Sequence, residues 1–208
     1  MAFKLTTEII ELSTAGIWQQ AKLEWDFHLA YYSNEKLTCL CGHFPIRNIC
    51  VIRNRTNKVE TEVGNCCIKK FLGIADGDKI FNSIKKLKED ISKSINAETL
   101  EYLRERGAVN DYEYDFYKDI WRKRNLSNKQ NNLKIKINEK FLKFTSYQTN
   151  SQFLKINRIL SWSNGHTDFD TQFVLSMKRS CEKNGGLTEK QVLALDNIIE
   201  KFGIHDNV

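Results

Sequence analysis

Residues Cys39 to Phe71 read CLCGHFPIRNICVIRNRTNKVETEVGNCCIKKF. This stretch holds five of the six cysteines and one of the four histidines in the 208-residue chain. Cys39, Cys41 and His43 alternate around Gly42, so a tight turn can aim their side chains at one point. Thiolate and imidazole groups gathered in this way are the usual ligands of a small tetrahedral metal site. The density of ligands therefore predicts a metal-binding segment.

The same stretch has the pattern of a β-hairpin that leads into a helix. Residues 49–54 are predicted to form a β-branched strand, residues 55–57 its turn and residues 58–63 the returning strand. Gly64 breaks the returning strand, and Asn65 is a favourable N-cap for the helix that follows. A knuckle, a hairpin and a helix N-terminus in this order are typical of a treble-clef-like zinc module.

The predicted ligands of a structural Zn²⁺ ion are Cys39, Cys41, His43 and Cys67. Cys50 is the alternative to His43, because a strand residue beside the knuckle can also reach the ion. Cys66 and Cys67 point about 100° apart on a helix, so only one of them is expected to bind. The other is expected to be a small buried hydrophobic residue. The competing interpretation is that all five thiols belong to the core.

The stretch also carries a recognisable signature. It contains C-x-C-G-H at 39–43, I-x-N at 52–54 and V-G-N-x-C-[IV]-K-x-F at 63–71. This pattern resembles that of a poorly characterised family of bacterial and bacteriophage zinc-binding proteins, and the resemblance extends to the segment ending at Ser127. It implies a zinc-binding protein from a bacterium or its phage, and it brings no agreed activity with it.

Composition is that of a soluble globular protein, with 41% hydrophobic residues, 28% charged residues and a single proline. No segment has the length of uncharged apolar sequence that a membrane span needs, and residues 1–22 lack a signal-peptide core. The expected location is therefore the cytoplasm, with no membrane partner. Cysteines in that compartment favour metal binding over disulfides.

Outside the cysteine-rich stretch the sequence predicts helices, so the expected fold class is α+β with mostly α structure. Ile17, Ala21, Trp25 and Leu29 recur every four residues, which predicts an N-terminal helix over residues 14–31. Further helices are predicted over residues 76–88, after an N-cap at Asn96 and after an N-cap at Asn110.

An internal repeat occupies the second half of the chain. The motif Leu-Ser-Asn-Lys-Gln at 126–130 returns as Leu-Thr-Glu-Lys-Gln at 187–191, an offset of 61 residues, and the same offset relates two Ile-x-Glu-Lys-Phe motifs further on. Both copies are predicted to open with a capping box, formed by Ser127 with Gln130 and by Thr188 with Gln191. The pattern predicts a duplicated helical hairpin.

Residues 145–152 are polar and short of large aliphatic side chains, which predicts a linker. Three pieces are then expected. The N-terminal helix and the zinc module occupy residues 1–95, the first hairpin with a basic face occupies residues 96–145, and the second, repeated hairpin occupies residues 151–208. Cys181 in the last piece is expected to be structural.

Positive charge is concentrated in the first hairpin. Nine basic and two acidic residues lie between Lys118 and Lys143, a local charge of +7 in a chain of net charge +6. Cations on one helical face suit the phosphate backbone of a nucleic acid, although a solvated basic face is the alternative interpretation. The predicted phosphate contacts are Arg122, Lys123, Arg124, Lys136, Lys140 and Lys143 in the hairpin, and Arg53, Arg55, Lys69 and Lys70 in the zinc module.

These features favour a non-catalytic zinc-containing protein that binds DNA or RNA. A nuclease is disfavoured because the hairpin strands carry no general-base histidine, and the helix after Cys67 offers lysines where a second metal ligand would be needed. The alternative function is a protein-binding adaptor or inhibitor of phage or mobile-element type. It is indicated by the duplicated hairpin, whose apolar seams can dock a partner protein.

Overall fold

The chain divides within its fourth helix. The computed structural model describes residues 2–72 and 76–204, and it separates unit 1, Met1–Lys85, from unit 2, Lys86–Val208. The predicted domain ranges also include Met1, residues 73–75 and residues 205–208, which lie outside the described residues. Both predicted helical hairpins belong to unit 2.

Unit 1 contains a three-stranded antiparallel sheet with the order β1-β2-β3. The strands are β1 (Trp25–Leu37), β2 (Ile46–Asn54) and β3 (Glu60–Gly64). The predicted hairpin is confirmed, with β2 and β3 paired so that Ile49 lies opposite Gly64. Residues 49–52 of β2 are all buried, because this central strand is covered on both faces.

The predicted helix over residues 14–31 is wrong. The described residues there form a short helix α2 (Trp18–Ala21), a 3₁₀ turn and the first part of β1. A register shift between Phe27 and Leu29 interrupts the pairing of β1 with β2. Leu29, Ala30 and Tyr31 pair regularly with β2 beyond this shift, and all three are buried. Both faces of the strand are covered there, which removes the alternation that marks a strand in sequence.

The helices confirm an α+β fold that is mostly helical. Unit 1 also contains α1 (Ala2–Glu11), α3 (Asn65–Leu72) and the beginning of α4 (Asp76–Glu89). Unit 2 continues with α5 (Ala97–Glu105), α6 (Asp111–Ile120), α7 (Asn128–Phe144), α8 (Tyr147–Ser163), α9 (Gln172–Asn184) and α10 (Glu189–Lys201). None of the helices in the described part of the chain has the length and hydrophobicity that a membrane crossing requires.

The predicted helix starts in unit 2 are confirmed by their caps. Asn96 accepts a hydrogen bond from the Thr99 amide at the start of α5. Asn110 with Glu113 forms a capping box on α6. The two repeated motifs do the same, Ser127 with Gln130 on α7 and Thr188 with Gln191 on α10.

The linker predicted over residues 145–152 is wrong, because α8 begins at Tyr147. Four polar side chains of this segment are buried rather than solvated, those of Thr145, Thr149, Asn150 and Gln152. The Thr149 hydroxyl donates to the Gly185 carbonyl at 2.9 Å, and the Gln152 side-chain oxygen accepts from the Leu187 amide at 2.8 Å. These residues are polar because they hold the α9–α10 connection against α8.

The repeat offset reappears in the helix boundaries. α6 and α9 begin at 111 and 172, and α7 and α10 begin at 128 and 189, so each pair is 61 residues apart. The surroundings of the two copies differ. Phe141 of α7 is fully buried, whereas its counterpart Phe202, just after α10, is 40% exposed.

Candidate metal centre and basic cavity

Cys39 and Cys41 are positioned by a tight turn between β1 and β2. The Gly42 amide donates to the Cys39 carbonyl at 2.7 Å, and the Cys39 amide donates to the His43 carbonyl at 2.9 Å. Gly42 has φ +84°, a left-handed conformation that favours glycine. The turn therefore folds as predicted and presents both thiols on one side.

The third thiol comes from the start of α3. That helix begins at Asn65, directly after β3, and places Cys67 in its first turn. The Cys67 Sγ lies 3.6 Å from the Cys39 Sγ, and the Gly64 amide donates to the Cys39 Sγ at 3.2 Å. The sulfur atoms of Cys39, Cys41 and Cys67 all lie within 4.8 Å of one another.

The close approach of the thiols changes their ionisation. Burial raises the pKa of Cys41, but hydrogen bonds from the His43 amide and the thiols of Cys67 and Cys39 outweigh it and leave that pKa below its ordinary value. Burial and the neighbouring Cys41 and Cys39 sulfurs raise the pKa of Cys67. The neighbouring groups therefore favour ionisation of Cys41 and oppose that of Cys67, and a bound cation would favour the thiolate form of all three cysteines.

These three cysteines can hold a metal ion. Zinc–sulfur bonds of about 2.3 Å in tetrahedral geometry require sulfur atoms about 3.8 Å apart. The distance of 3.6 Å between Cys39 and Cys67 is close to that value. The spacing of this pair thus fits a tetrahedral thiolate site, and the third sulfur lies within 4.8 Å of both.

The other predicted ligands lie outside the group. Among the residues that the structure describes, no further histidine, cysteine or carboxylate side chain completes it. His43 is exposed at the end of the turn. Cys50 is fully buried beside Gly77, and burial, with Asp78 and Cys39 nearby, raises its pKa to about 12. The expectation of a buried Cys66 is wrong, because that residue is exposed.

Most of the predicted phosphate contacts in unit 1 face carboxylates. Arg53 lies 3.7 Å from Glu60 and Arg55 lies 3.3 Å from Asp26. Lys69 contacts Asp78 at 3.4 Å. Lys70 differs, because it lines a cavity with the three clustered cysteines.

Unit 2 contains a second cavity, of about 680 Å³, where the predicted lysines of α7 meet basic residues of α9. Three carboxylates share its walls, so the lining carries a net charge of about +2. The charged lining residues are Lys136, Lys140, Lys143, Arg179, Lys183, Glu113, Glu139 and Glu182.

The charges in this cavity are not equally available. The Lys140 ammonium lies 2.9 Å from the Glu113 carboxylate, and their side chains are only 17% and 18% exposed. Burial raises the pKa of Glu182, against the opposing effect of nearby cations. Lys136 and Lys143 are exposed, so they are better placed than Lys140 to bind an anion.

A glycine sets the approach of α9 to α7. Gly185 follows α9 with φ +69°, and a Cβ atom there would lie 2.8 Å from the Lys140 carbonyl oxygen. The close contact brings the last turns of α9 beside the end of α7. Arg179 and Lys183 reach the cavity in this way, and sequence reasoning missed both. Their spacing of four residues on a predicted helix was the available signal.

The predicted basic turn before α7 lies at the surface. Arg122, Lys123 and Arg124 are all exposed. The Arg122 guanidinium lies over the Trp121 ring at 4.7 Å, and Lys123 pairs with Asp119 at 2.7 Å. None of the three lines the cavity of α7 and α9.

Comparisons of this chain with protein-family models, with curated proteins and with solved structures yield no match.

Proposed function

We propose that this protein is a non-catalytic, zinc-containing nucleic-acid-binding protein that contacts the phosphate backbone through the basic cavity of α7 and α9. The observation that carries the proposal is the convergence of five cations from two helices on one concave surface. A concave group of cations binds successive phosphates and releases their counterions. Its three carboxylates limit the strength of non-specific binding.

The proposed metal is a structural Zn²⁺ ion held by Cys39, Cys41 and Cys67. Three sulfur ligands within 4.8 Å of one another support zinc over magnesium or calcium, because those two ions prefer oxygen ligands. The order of turn, hairpin and helix supports a treble-clef-like module. In the same way, the shared offset of 61 residues between helix starts supports a duplicated hairpin in unit 2.

The nucleic-acid proposal is tested by fluorescence anisotropy of zinc-loaded protein with labelled single- and double-stranded DNA and RNA over a salt series. The test variant is Lys136→Glu/Lys143→Glu. Lys140 is left unchanged, because a glutamate there would face Glu113 and confound binding with folding. Loss of two phosphate contacts should weaken binding to all sequences and reduce the salt slope by about two.

Lys129→Glu is the matched control. Lys129 is exposed on the first turn of α7 and does not line the cavity. This charge reversal should leave the salt slope nearly unchanged. Equal losses in the double variant and the control would show a general charge effect, and unchanged binding in the double variant would reject the proposed surface.

A protein-binding adaptor is the second candidate, favoured by exposed apolar side chains near α9 and α10. Leu193 is 60% exposed, and Phe173 and Phe202 are also exposed. Among the residues of α10, only Leu195 is buried. An apolar docking site would bind its partner with little dependence on salt, in contrast to phosphate contacts. The same salt series therefore separates the two functions.

A further inference from the structure

We infer that a metal ion at Cys39, Cys41 and Cys67 keeps its fourth coordination position open to an adjoining cavity, where a small anionic thiol binds it directly. This inference rests on the proposed metal site and concerns the ligand that completes it. Four protein ligands close a zinc site to other groups, whereas three protein ligands leave one position for an external group. The group found here has three.

The cavity is part of unit 1 and has a volume of about 780 Å³. Its walls include the three clustered cysteines themselves, so an ion held by them would adjoin this space. The volume lies in the range of about 300–1,000 Å³ typical of small-molecule sites. An external ligand thus has both access to the ion and room beside it.

The lining defines the chemical class of the ligand. Three thiolates make the site soft and favour sulfur as a further donor. Lys70 and Arg47 supply positive charge, which offsets the excess negative charge of a trithiolate site and favours an anionic ligand. Trp18, Tyr32 and Ile46 form an apolar wall for an organic body. A small thiol that carries a carboxylate has all three properties.

Two side chains of this chain compete for the fourth position. His43 and Cys66 are both exposed, and both line the cavity without belonging to the three-sulfur group. Replacing each in turn shows whether either closes the site. His43→Ala and Cys66→Ser should leave the metal spectrum unchanged when the position is open.

The experiment uses the full chain loaded with Co²⁺, whose visible d–d bands report the ligand set. Mercaptoacetate is the anionic thiol probe and 2-mercaptoethanol is its neutral counterpart. Mercaptoacetate should shift the d–d bands and reach half-saturation at a concentration several-fold lower than 2-mercaptoethanol. Metal content measured after gel filtration verifies that neither thiol removes the ion.

Lys70→Gln and Lys69→Gln form a matched pair. Lys70 lines the cavity, whereas its neighbour Lys69 faces Asp78. The Lys70 variant should lose the preference for mercaptoacetate over 2-mercaptoethanol, and the Lys69 variant should keep it. Equal effects of the two variants would overturn the assigned role of Lys70.

The outcomes distinguish failure of the inference from failure of the proposed metal site on which it rests. Absence of a sulfur-to-cobalt charge-transfer band would reject the metal site. A normal charge-transfer band together with d–d bands that mercaptoacetate does not shift would reject the open position but not the metal site. A spectrum altered by His43→Ala or Cys66→Ser would identify that residue as the fourth ligand and overturn the inference. Equal responses to both thiols would overturn the anionic class of ligand.

Discussion

Cys39 and Cys50 have opposite surroundings although both are buried. The sulfur of Cys39 accepts a hydrogen bond from the Gly64 amide and lies 3.6 Å from that of Cys67. Cys50 lies on the central strand, and burial raises its pKa to about 12. Cys50 also lies outside the group of three clustered sulfurs, to which Cys39 belongs. We therefore expect Cys39 to bind the metal and Cys50 to contribute only to packing of the core.

Cys39→Ala should abolish zinc binding, whereas Cys50→Ala should keep one zinc ion per chain. The first change removes a ligand sulfur, and the second removes only a buried thiol from the core. Elemental analysis of protein purified without chelators measures both. Loss of zinc from the Cys50 variant, with retention in the Cys39 variant, would make Cys50 a ligand.

Glu113→Gln should destabilise unit 2 through loss of the ion pair with Lys140. Glutamine retains an oxygen for the Asn110 amide, which donates to Glu113 at 3.0 Å, so the capping box survives. A double-mutant cycle with Lys140→Gln, measured by urea unfolding, should give a coupling energy of about 1 kcal/mol. The exposed pair of Lys123 and Asp119 is the control and should show a smaller coupling.

At the scale of elements, the end of α9 is fixed by one residue with no side chain. Gly185 has φ +69° and approaches the Lys140 carbonyl, and the Gly185 carbonyl accepts a hydrogen bond from the Thr149 hydroxyl at 2.9 Å. These contacts join α9 to the α7–α8 junction. The cavity of α7 and α9 therefore depends on the backbone at this position.

Gly185→Ala should destabilise the protein more than Gly107→Ala. Both glycines have left-handed φ values, +69° and +68°, and nothing lies within 4 Å of a Cβ atom at Gly107. The Gly107 variant should lose about 1 kcal/mol, the cost of this conformation for alanine. The Gly185 variant should lose at least about 1 kcal/mol more, because its Cβ also meets a carbonyl oxygen. Equal midpoints in urea unfolding would contradict the close contact.

At the scale of the whole molecule, metal binding and stability should be coupled. Removing zinc with a chelator should lower the thermal unfolding midpoint, because an ion that binds only the folded state stabilises it. Calorimetry measures the shift, and added Zn²⁺ but not Mg²⁺ should reverse it. Lower pH should have the same effect as the chelator, since protons compete for the thiolates. A midpoint insensitive to chelator in zinc-loaded protein would contradict a structural role.

The sequence alone determined the local structures of this protein, because they depend on residues close together in the chain. The β2–β3 hairpin follows from β-branched residues on either side of a polar turn. The caps at Asn96, Asn110, Ser127 and Thr188 follow from side chains that bond to amides three residues away. The thiols of Cys39, Cys41 and Cys67 could be found because a turn and a helix start are short-range structures.

The features that depend on residues distant in the sequence were decided only by the tertiary structure. β1 exists because β2 pairs with it, and burial on both faces at Leu29, Ala30 and Tyr31 removes the alternation that would have identified it. The polar start of α8 is helical because Thr149 and Gln152 bond to the α9–α10 connection. Arg179 and Lys183 join the α7 lysines only because Gly185 lets two helices approach. Sequence periodicity records the contacts within an element, whereas these contacts depend on residues many positions apart.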